Sequence, residues 1–203
     1  MKNIPALDPK VLDLVTEISK EPKVEAAMAF IKDQTEVAMQ EQIELCEIEA
    51  PTFHEEKRAA SVAERMKQYG LTDVHIDEIG NVIGIRKGTG SGPVLAIGAH
   101  MDSVFPAGTD VKVKKEGNIY RAPGIGDNCS GLRALLQVLR AMEKEDIRTV
   151  GDIWVVGTVG EEGNGDIRGS KHLCANNKLD GFVAIDSTCL LYTSPSPRDS
   201  TSS

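Results

Sequence analysis

The sequence has few aromatic residues, 4% of 203, and no long hydrophobic run. No apolar stretch approaches the roughly 20 residues that span a bilayer, so we expect no transmembrane helix. Basic residues are outnumbered, with 23 Lys and Arg against 31 Asp and Glu, and the formal net charge is −8. Because DNA and anionic membranes bind through clustered basic side chains, this balance argues against nucleic acid and against a membrane as partners.

Cysteine pairs of the Cys-x-x-Cys type are also missing. The four cysteines stand at positions 46, 129, 174 and 189, a spacing that indicates free thiols in a reducing compartment. The first residues, MKNIPALDPKVLDL, lack the apolar core of a secretory signal peptide. We therefore expect a cytoplasmic protein.

Helical spacing of apolar residues is present over residues 8–49, with a break expected at Pro22 because proline suits a first turn and not a helix interior. A further helix is predicted to open at residues 51–52, where Thr52 and Glu55 have capping-box spacing, and to end before Gly70. Its buried face would consist of Ala59, Val62, Ala63 and Met66.

Strand patterns dominate after residue 70. Two hairpins are predicted, one around Gly80-Asn81 and a short one within residues 111–121. Three continuous apolar runs predict buried strands at residues 93–99, 153–156 and 182–185. Between the first two, Ser130 can cap a helix that buries Leu132, Leu135, Leu136, Leu139 and Met142. Helices thus alternate with buried strands, which predicts an α/β fold with a mainly parallel sheet flanked by helices, preceded by N-terminal helices.

Polar residues follow each predicted buried strand. His100 and Asp102 end the first, Glu161 and Glu162 follow the second, and Asp186 follows the third. A fourth cluster precedes the Ser130 helix, with Asp127 placed after Gly124-x-Gly126. Because open α/β sheets bind ligands beyond the carboxyl ends of their strands, we expect the four clusters to converge on one crevice.

The residue types in these clusters are those of a metal site. His100 and Asp102 leave the same face of an extended chain, so the carboxylate can orient the imidazole while the other ring nitrogen binds a metal. Glu161 and Glu162 would repel each other without compensating cations or protons, so we assign one to a metal and the other to proton transfer. Each cluster alone also fits a strand-end histidine, an exposed acidic loop or a turn, and the prediction depends on all of them together. A mixed set of histidine and carboxylates suits Zn²⁺, and also Mn²⁺ or Co²⁺.

Four motifs, GAHMDSV, GIGDN, GTVGEEGNGDIRGS and AIDS, together make the pattern specific. By these motifs the chain, from about residue 40 to Asp186, resembles the co-catalytic dizinc metallopeptidase family of peptidase T, glutamate carboxypeptidase, aminoacylase and acetylornithine deacetylase. The resemblance implies that His100 and Asp186 bind one zinc ion and Glu162 the other, with Asp127 bridging both.

The same resemblance implies roles for the remaining residues. Asp102 would hold His100, Glu161 would be the general base, and a cis peptide bond would follow Asp127. Many relatives carry Met-Lys or Asp-Lys after the bridging aspartate, whereas this chain has Asn128-Cys129. The difference favours peptidase-T-like members over the acetylornithine and succinyl-diaminopimelate deacylases.

The family's fifth ligand, a distant histidine, and the lid domain inserted after the Asp186 position have no counterpart here. His172 lies too close to the Glu161 loop to serve, and we interpret it as a surface or helix residue. The tail from Cys189 resembles a translated sequencing adaptor, although a natural disordered tail would have the same polar composition. We therefore expect a helical segment at 1–50, the N-terminal half of a catalytic domain at 51–188 and a non-native tail at 189–203.

The expected function is that of a dizinc metallopeptidase acting on short peptides, as an aminopeptidase or tripeptidase, with Glu161 taking a proton from a metal-activated water. An amidohydrolase acting on N-acyl amino acids is one alternative. A non-catalytic metal-binding module is another, although it would not require Glu161. With four of the five ligands, the chain is expected to hold the Glu162 zinc weakly and to hydrolyse slowly, and the complete protein could dimerise through the lid domain.

Overall fold

The computed structural model describes residues 8–187, so the predicted tail at 189–203 and Cys189 lie outside the described residues. Within that range Cys46, Cys129 and Cys174 are free thiols. None of the helices between residues 8 and 187 combines the length and the apolar character needed to cross a membrane.

Three helices, rather than the predicted two, form the N-terminal segment: α1 (Pro9–Ile18), α2 (Pro22–Asp33) and α3 (Thr35–Cys46). Pro22 occupies the first turn of α2, as its fixed backbone angle favours. The additional break lies at Gln34, which ends α2 and precedes α3. Apolar periodicity did not reveal it because the helical pattern continues on both sides of a single-residue break.

Helix α4 (Glu56–Gln68) begins later than predicted, and the capping box is wrong. Glu55 is the N-cap residue, but no side chain caps the helix. Thr52 and Glu55 instead direct their side chains to loops at the carboxyl end of the sheet, described below. The predicted buried face of α4 is confirmed, and Gly70 follows its end with a φ of +81°, a conformation that glycine adopts without strain.

Five strands form the main sheet, in the order β1-β2-β6-β3-β7. They are β1 (Thr72–Ile76), β2 (Val82–Arg86), β3 (Leu95–His100), β6 (Ile153–Thr158) and β7 (Gly181–Ala184), and the predicted short hairpin forms a separate pair, β4 (Lys114–Glu116) and β5 (Ile119–Arg121). Strand β3 is parallel to both β6 and β7, whereas β2 is antiparallel to its neighbours β1 and β6. Four of the five strands therefore run in one direction, as the α/β prediction required.

Helix α5 (Cys129–Lys144) connects β5 to β6, and its cap differs from the prediction. Asn128, not Ser130, is the N-cap residue, and its side-chain oxygen accepts a 3.0 Å hydrogen bond from the Gly131 N–H. Ser130 lies inside the first turn and donates to the Gly126 carbonyl. An asparagine two residues upstream satisfies the free N–H groups equally well, so sequence preference alone did not separate the two caps.

The core lies on both faces of the sheet. Helices α4 and α5 pack on one face, where Val155 of β6 joins the main cluster. Helix α6 (Arg168–Asn176) contributes Leu173 to a smaller cluster that contains Val156. Because successive strand residues point to opposite faces, these neighbouring valines pack into different layers.

Candidate metal centre

Strand register brings the predicted clusters to one edge of the sheet. His100, the last residue of β3, pairs with Thr158 at the end of β6. On the other side of β3, Gly98 pairs with Ala184, which ends β7 two residues before Asp186. Because the three strands are parallel, the segments that follow them leave the sheet side by side.

His100 is the centre of the resulting group. Its Nε2 lies 2.9 Å from Asp127 Oδ1 and 3.7 Å from Asp186 Oδ1. One ligand atom from each of His100, Asp127 and Glu162 lies within 4.8 Å of the other two. The imidazole is buried, whereas the Asp127 and Asp186 side chains are exposed. The buried nitrogen therefore faces a ring of carboxylates that approaches from the solvent side.

The loop before α5 delivers Asp127. The Asp127–Asn128 peptide bond is cis, as the resemblance implied, and Gly124 has a φ of +78°. The Asn128 side-chain amide donates a 2.9 Å hydrogen bond to the Ile185 carbonyl. This bond joins the Asp127 loop to the end of β7, directly before Asp186.

Asp102 is fully buried, with 0% of its surface exposed, and holds the site together. Its two carboxylate oxygens accept hydrogen bonds from the backbone N–H groups of Glu161, at 2.9 Å, and Glu162, at 3.0 Å. The Thr52 hydroxyl donates to the same carboxylate at 2.9 Å. His100 Nδ1 lies 3.1 Å from the Asp102 carbonyl oxygen and 3.4 Å from its carboxylate, which leaves Nε2 facing the other acids.

The electrostatics of the group favour a cation. Burial by itself would lower the pKa of His100, but its contacts with Asp102 and Asp127 raise that pKa to about 10. Burial by itself would raise the pKa of Asp102, but bonds from His100 and from two backbone N–H groups lower it to about 2. The pKa of Glu162 is raised, first by burial and then by the negative charge of Asp127. One histidine and several carboxylates form a donor set that fits a divalent cation such as Zn²⁺.

Glu161 occupies a different position from its neighbour. It lines a cavity of about 270 Å³ together with His100, Asp186 and the apolar residues Ile167 and Phe182. The group of His100, Asp127 and Glu162 does not include it. The two consecutive glutamates of the loop thus lie in different surroundings, Glu162 near His100 and Asp127 and Glu161 beside the cavity.

His172 does not join the site. It lies in α6, as predicted for a helix residue, and its Nε2 is 2.9 Å from Glu78. With Asp77 these two residues form a second histidine–carboxylate group. The Asp77 carboxylate, however, already accepts hydrogen bonds from three backbone N–H groups of its own turn.

The sequence did not reveal the role of two residues, Glu55 and Arg168, that support the loop carrying Glu161 and Glu162. Glu55 accepts a hydrogen bond from the Gly160 N–H, and Arg168 donates to the Glu55 carboxylate. The capping-box spacing predicts that Glu55 caps a helix, and Arg168 lies in the GTVGEEGNGDIRGS motif without a predicted role. The signal available in the sequence for Arg168 was its positive charge close to the glycine-rich segment 160–165.

Comparison with known proteins finds a matching family model and several relatives. Residues 96–195 match the sequence model of peptidase family M20/M25/M40. A Pyrococcus abyssi protein named as a LysW-lysine/LysW-ornithine hydrolase is 34% identical over 120 residues, which is 59% of this chain and 32% of that protein.

Solved structures show the same fold. A tripeptidase from Staphylococcus aureus matches with a TM-score of 0.62 and 30% identity over 75% of this chain and 43% of its own. Aminopeptidase PepT from Bacillus cereus matches with a TM-score of 0.65 and 24% identity over 76% of this chain and 44% of its own. This chain thus spans about a third of the curated relative and less than half of either solved structure.

Proposed function

We propose that this chain, whose residues 96–195 match the sequence model of peptidase family M20/M25/M40, carries the metal-binding half of a catalytic domain that hydrolyses amide bonds in small substrates. One observation supports the proposal above all: His100, Asp127 and Glu162 meet at the carboxyl ends of the parallel strands. In this proposal residues 51–188 form that half-domain and residues 189–203 are a non-native tail. Residues 1–50 are its N-terminal helical segment, of which α2 and α3 bury residues against the rest of the chain, whereas α1 is exposed.

Two metal positions are proposed, with zinc as the first choice and Mn²⁺ or Co²⁺ as substitutes. His100 and Asp186 would hold one ion and Glu162 the other, with Asp127 between them. The bound ions would lower the pKa of a water molecule and polarise the substrate carbonyl. The fifth ligand, a histidine, would come from the part of the domain that this chain does not span.

Glu161 is the proposed general base. Its carboxylate would take a proton from the attacking water and deliver it to the departing amine, so the proton balance closes within one residue. The Glu161 backbone is held by Asp102, and its side chain lines the cavity beside His100 and Asp186. Asp102 would maintain the orientation of the imidazole through its contacts with Nδ1.

The proposed substrates are short peptides cleaved by an aminopeptidase or tripeptidase. The similarity to the S. aureus tripeptidase supports this choice. An amidohydrolase that releases an amino acid from an N-acyl or similar amide is the second candidate, favoured by the relative named as a LysW-lysine/LysW-ornithine hydrolase. Both reactions break an amide bond and release an amine, and the same residues would serve either. Dimerisation of the complete protein through its lid domain belongs to the same proposal.

Metal binding tests the core of the proposal. Titration of this chain with Co²⁺ should give the visible spectrum of a bound ion, and His100→Ala and Asp127→Asn should abolish it. A chain that binds no divalent cation would contradict the proposal. Two tightly bound zinc ions with rapid peptide turnover would contradict the expected weak second site.

Activity is tested in the protein encoded by the complete gene. Glu161→Gln should retain the metal content and lose hydrolysis by at least about 100-fold, within the range typical of general-base removal. Unchanged hydrolysis would refute the assigned base, whereas a wild-type protein that binds metal and hydrolyses nothing would favour the non-catalytic module. A panel of tripeptides, dipeptides and N-acyl amino acids separates the two enzyme candidates.

A further inference from the structure

Three consecutive backbone N–H groups in the glutamate loop donate to buried carboxylates. The N–H of Gly160 donates to Glu55 Oε1 at 3.0 Å. The next two, of Glu161 and Glu162, donate to Asp102 at 2.9 and 3.0 Å. Glu55 is 3% exposed and Asp102 0% exposed, so water competes little for these bonds. The direction in which both glutamate side chains leave the loop therefore depends on two acids.

Arg168 completes the Glu55 half of this arrangement. Its Nη2 lies 3.3 Å from each Glu55 oxygen, and its Nη1 donates to the Ile79 carbonyl at 2.8 Å. The guanidinium also lies 5.2 Å from the centre of the Phe53 ring. Since the Arg168 N–H donates to the Gly160 carbonyl at 3.1 Å, the pair fixes Gly160 on both sides.

The loop has no spare room at this point. Gly160 has a φ of +59°, and a Cβ placed there would lie 2.5 to 2.8 Å from the Arg168 side chain. A Cβ on Gly165 would lie 2.6 Å from the Gly160 carbonyl oxygen. Displacement of either Glu55 or Arg168 would therefore be transmitted to the backbone of Gly160 and the two glutamates.

We propose that Glu55 and Arg168 are positioning residues that set the orientation of the Glu162 carboxylate toward His100 and Asp127. This inference rests on the proposed function, because it assigns those three residues to a metal ion. Partners that orient metal ligands typically change metal affinity by about 10- to 100-fold when removed. Glu55 and Arg168 contact no prospective ligand side chain and act through the loop backbone.

Metal affinity measured by calorimetric titration with Co²⁺ is the first test, on the whole chain. Glu55→Gln and Arg168→Met should each weaken Co²⁺ binding at least about tenfold. Because the two residues act as a unit, the double variant should bind Co²⁺ as tightly as whichever single variant has the lower affinity. Arg168→Lys, which keeps the charge, should recover part of the affinity.

Glu41→Gln is the matched control. Glu41 is also buried, at 6% exposure, and pairs with an arginine, since the Arg65 Nε lies 3.3 Å from its Oε1. That pair joins α3 and α4 and does not touch the glutamate loop. Glu41→Gln should lower the urea midpoint to a similar degree and change Co²⁺ affinity less than about twofold. Equal affinity losses in Glu41→Gln and Glu55→Gln would overturn the proposal.

Amide hydrogen exchange is a second readout, independent of metal. Without added ions, Glu55→Gln and Arg168→Met should accelerate exchange at Gly160, Glu161 and Glu162 at least about tenfold, while Glu41→Gln leaves these amides unchanged. Unchanged exchange in the Glu55 and Arg168 variants would overturn the positioning role. A wild-type chain that binds no cation contradicts the proposed function instead, and exchange still decides the role of the pair. If Glu55→Gln does not fold, the two Arg168 variants carry the same tests.

Discussion

Arg58 donates a 2.7 Å hydrogen bond from Nη1 to the backbone carbonyl of Met101. Met101 lies between His100 and Asp102, two residues of the candidate metal centre. Its Nη2 donates to the Ile48 carbonyl at 2.6 Å and lies 3.4 Å from the Cys46 carbonyl. Arg58 is 1% exposed, so the guanidinium is a buried charge whose hydrogen bonds go to backbone oxygens. It connects the end of α3 and the start of α4 to the end of β3.

Replacement of Arg58 by methionine should therefore destabilise the fold. The variant leaves buried carbonyls without donors, a change that we expect to cost about 2–4 kcal/mol of unfolding free energy. Urea unfolding followed by circular dichroism measures the cost. Arg121→Met, at a solvent-exposed arginine in β5, is the control and should stay within about 0.5 kcal/mol of the wild type. A similar midpoint for both variants would show that the Arg58 bonds contribute little.

Asp102→Asn should weaken Co²⁺ binding by about 10- to 100-fold, because an asparagine cannot accept from both the Glu161 and Glu162 N–H groups without turning its own NH₂ toward one of them. Titration calorimetry gives the affinity. Asp152→Asn is the matched control, since Asp152 also accepts from a backbone N–H, that of Gly88, but at the other end of β6. An equal loss of affinity in both variants would rule out a specific role for Asp102.

Gly160→Ala and Gly117→Ala separate backbone strain from steric conflict. Both glycines have positive φ, +59° and +61°, but a Cβ would meet Arg168 at the first and nothing within 4 Å at the second. Gly117→Ala should cost about 1 kcal/mol of stability through conformation alone and leave metal binding unchanged. Gly160→Ala should cost more and also weaken Co²⁺ affinity. Equal effects at the two positions would contradict the tight packing around Gly160.

Tyr69 gives a prediction for alkaline pH. Burial, followed by the 2.7 Å hydrogen bond from its hydroxyl to Glu41, raises the pKa of Tyr69 from 10 to about 12. A raised pKa means that the unfolded chain loses this proton first, so the stabilisation is complete below pH 10 and disappears between pH 10 and 12. Tyr69→Phe should be about 1 kcal/mol less stable at pH 7–9, and the difference should shrink above pH 10. Urea unfolding across that range measures it, and a constant difference would contradict the assigned pKa.

Periodicity located most elements because apolar spacing usually follows the buried face of a helix or strand, although the apolar residues of α1 are exposed. The face of α4 formed by Ala59, Val62, Ala63 and Met66 is buried as predicted, and the three apolar runs are strands. The third run is not buried as predicted, because β7 lies at the edge of the sheet and its Val183 is 49% exposed. The helix caps were less predictable. Thr52 and Glu55 have the spacing of a capping box, but tertiary partners at Asp102 and Gly160 outcompeted the local bonds that this spacing allows.

The amino-acid sequence alone established the fold class, the family resemblance and the identity of the prospective ligands, because strand ends and short sequence motifs are local properties of the chain. Only the tertiary structure showed that Glu55 and Arg168 bond to each other and to Gly160 of the glutamate loop, and that Arg58 donates a hydrogen bond to the Met101 carbonyl. Glu55 and Arg168 lie 113 positions apart in the chain. Only the folding of the sheet brings such partners within hydrogen-bonding distance, and in a buried setting the contact then outweighs what either residue would do locally.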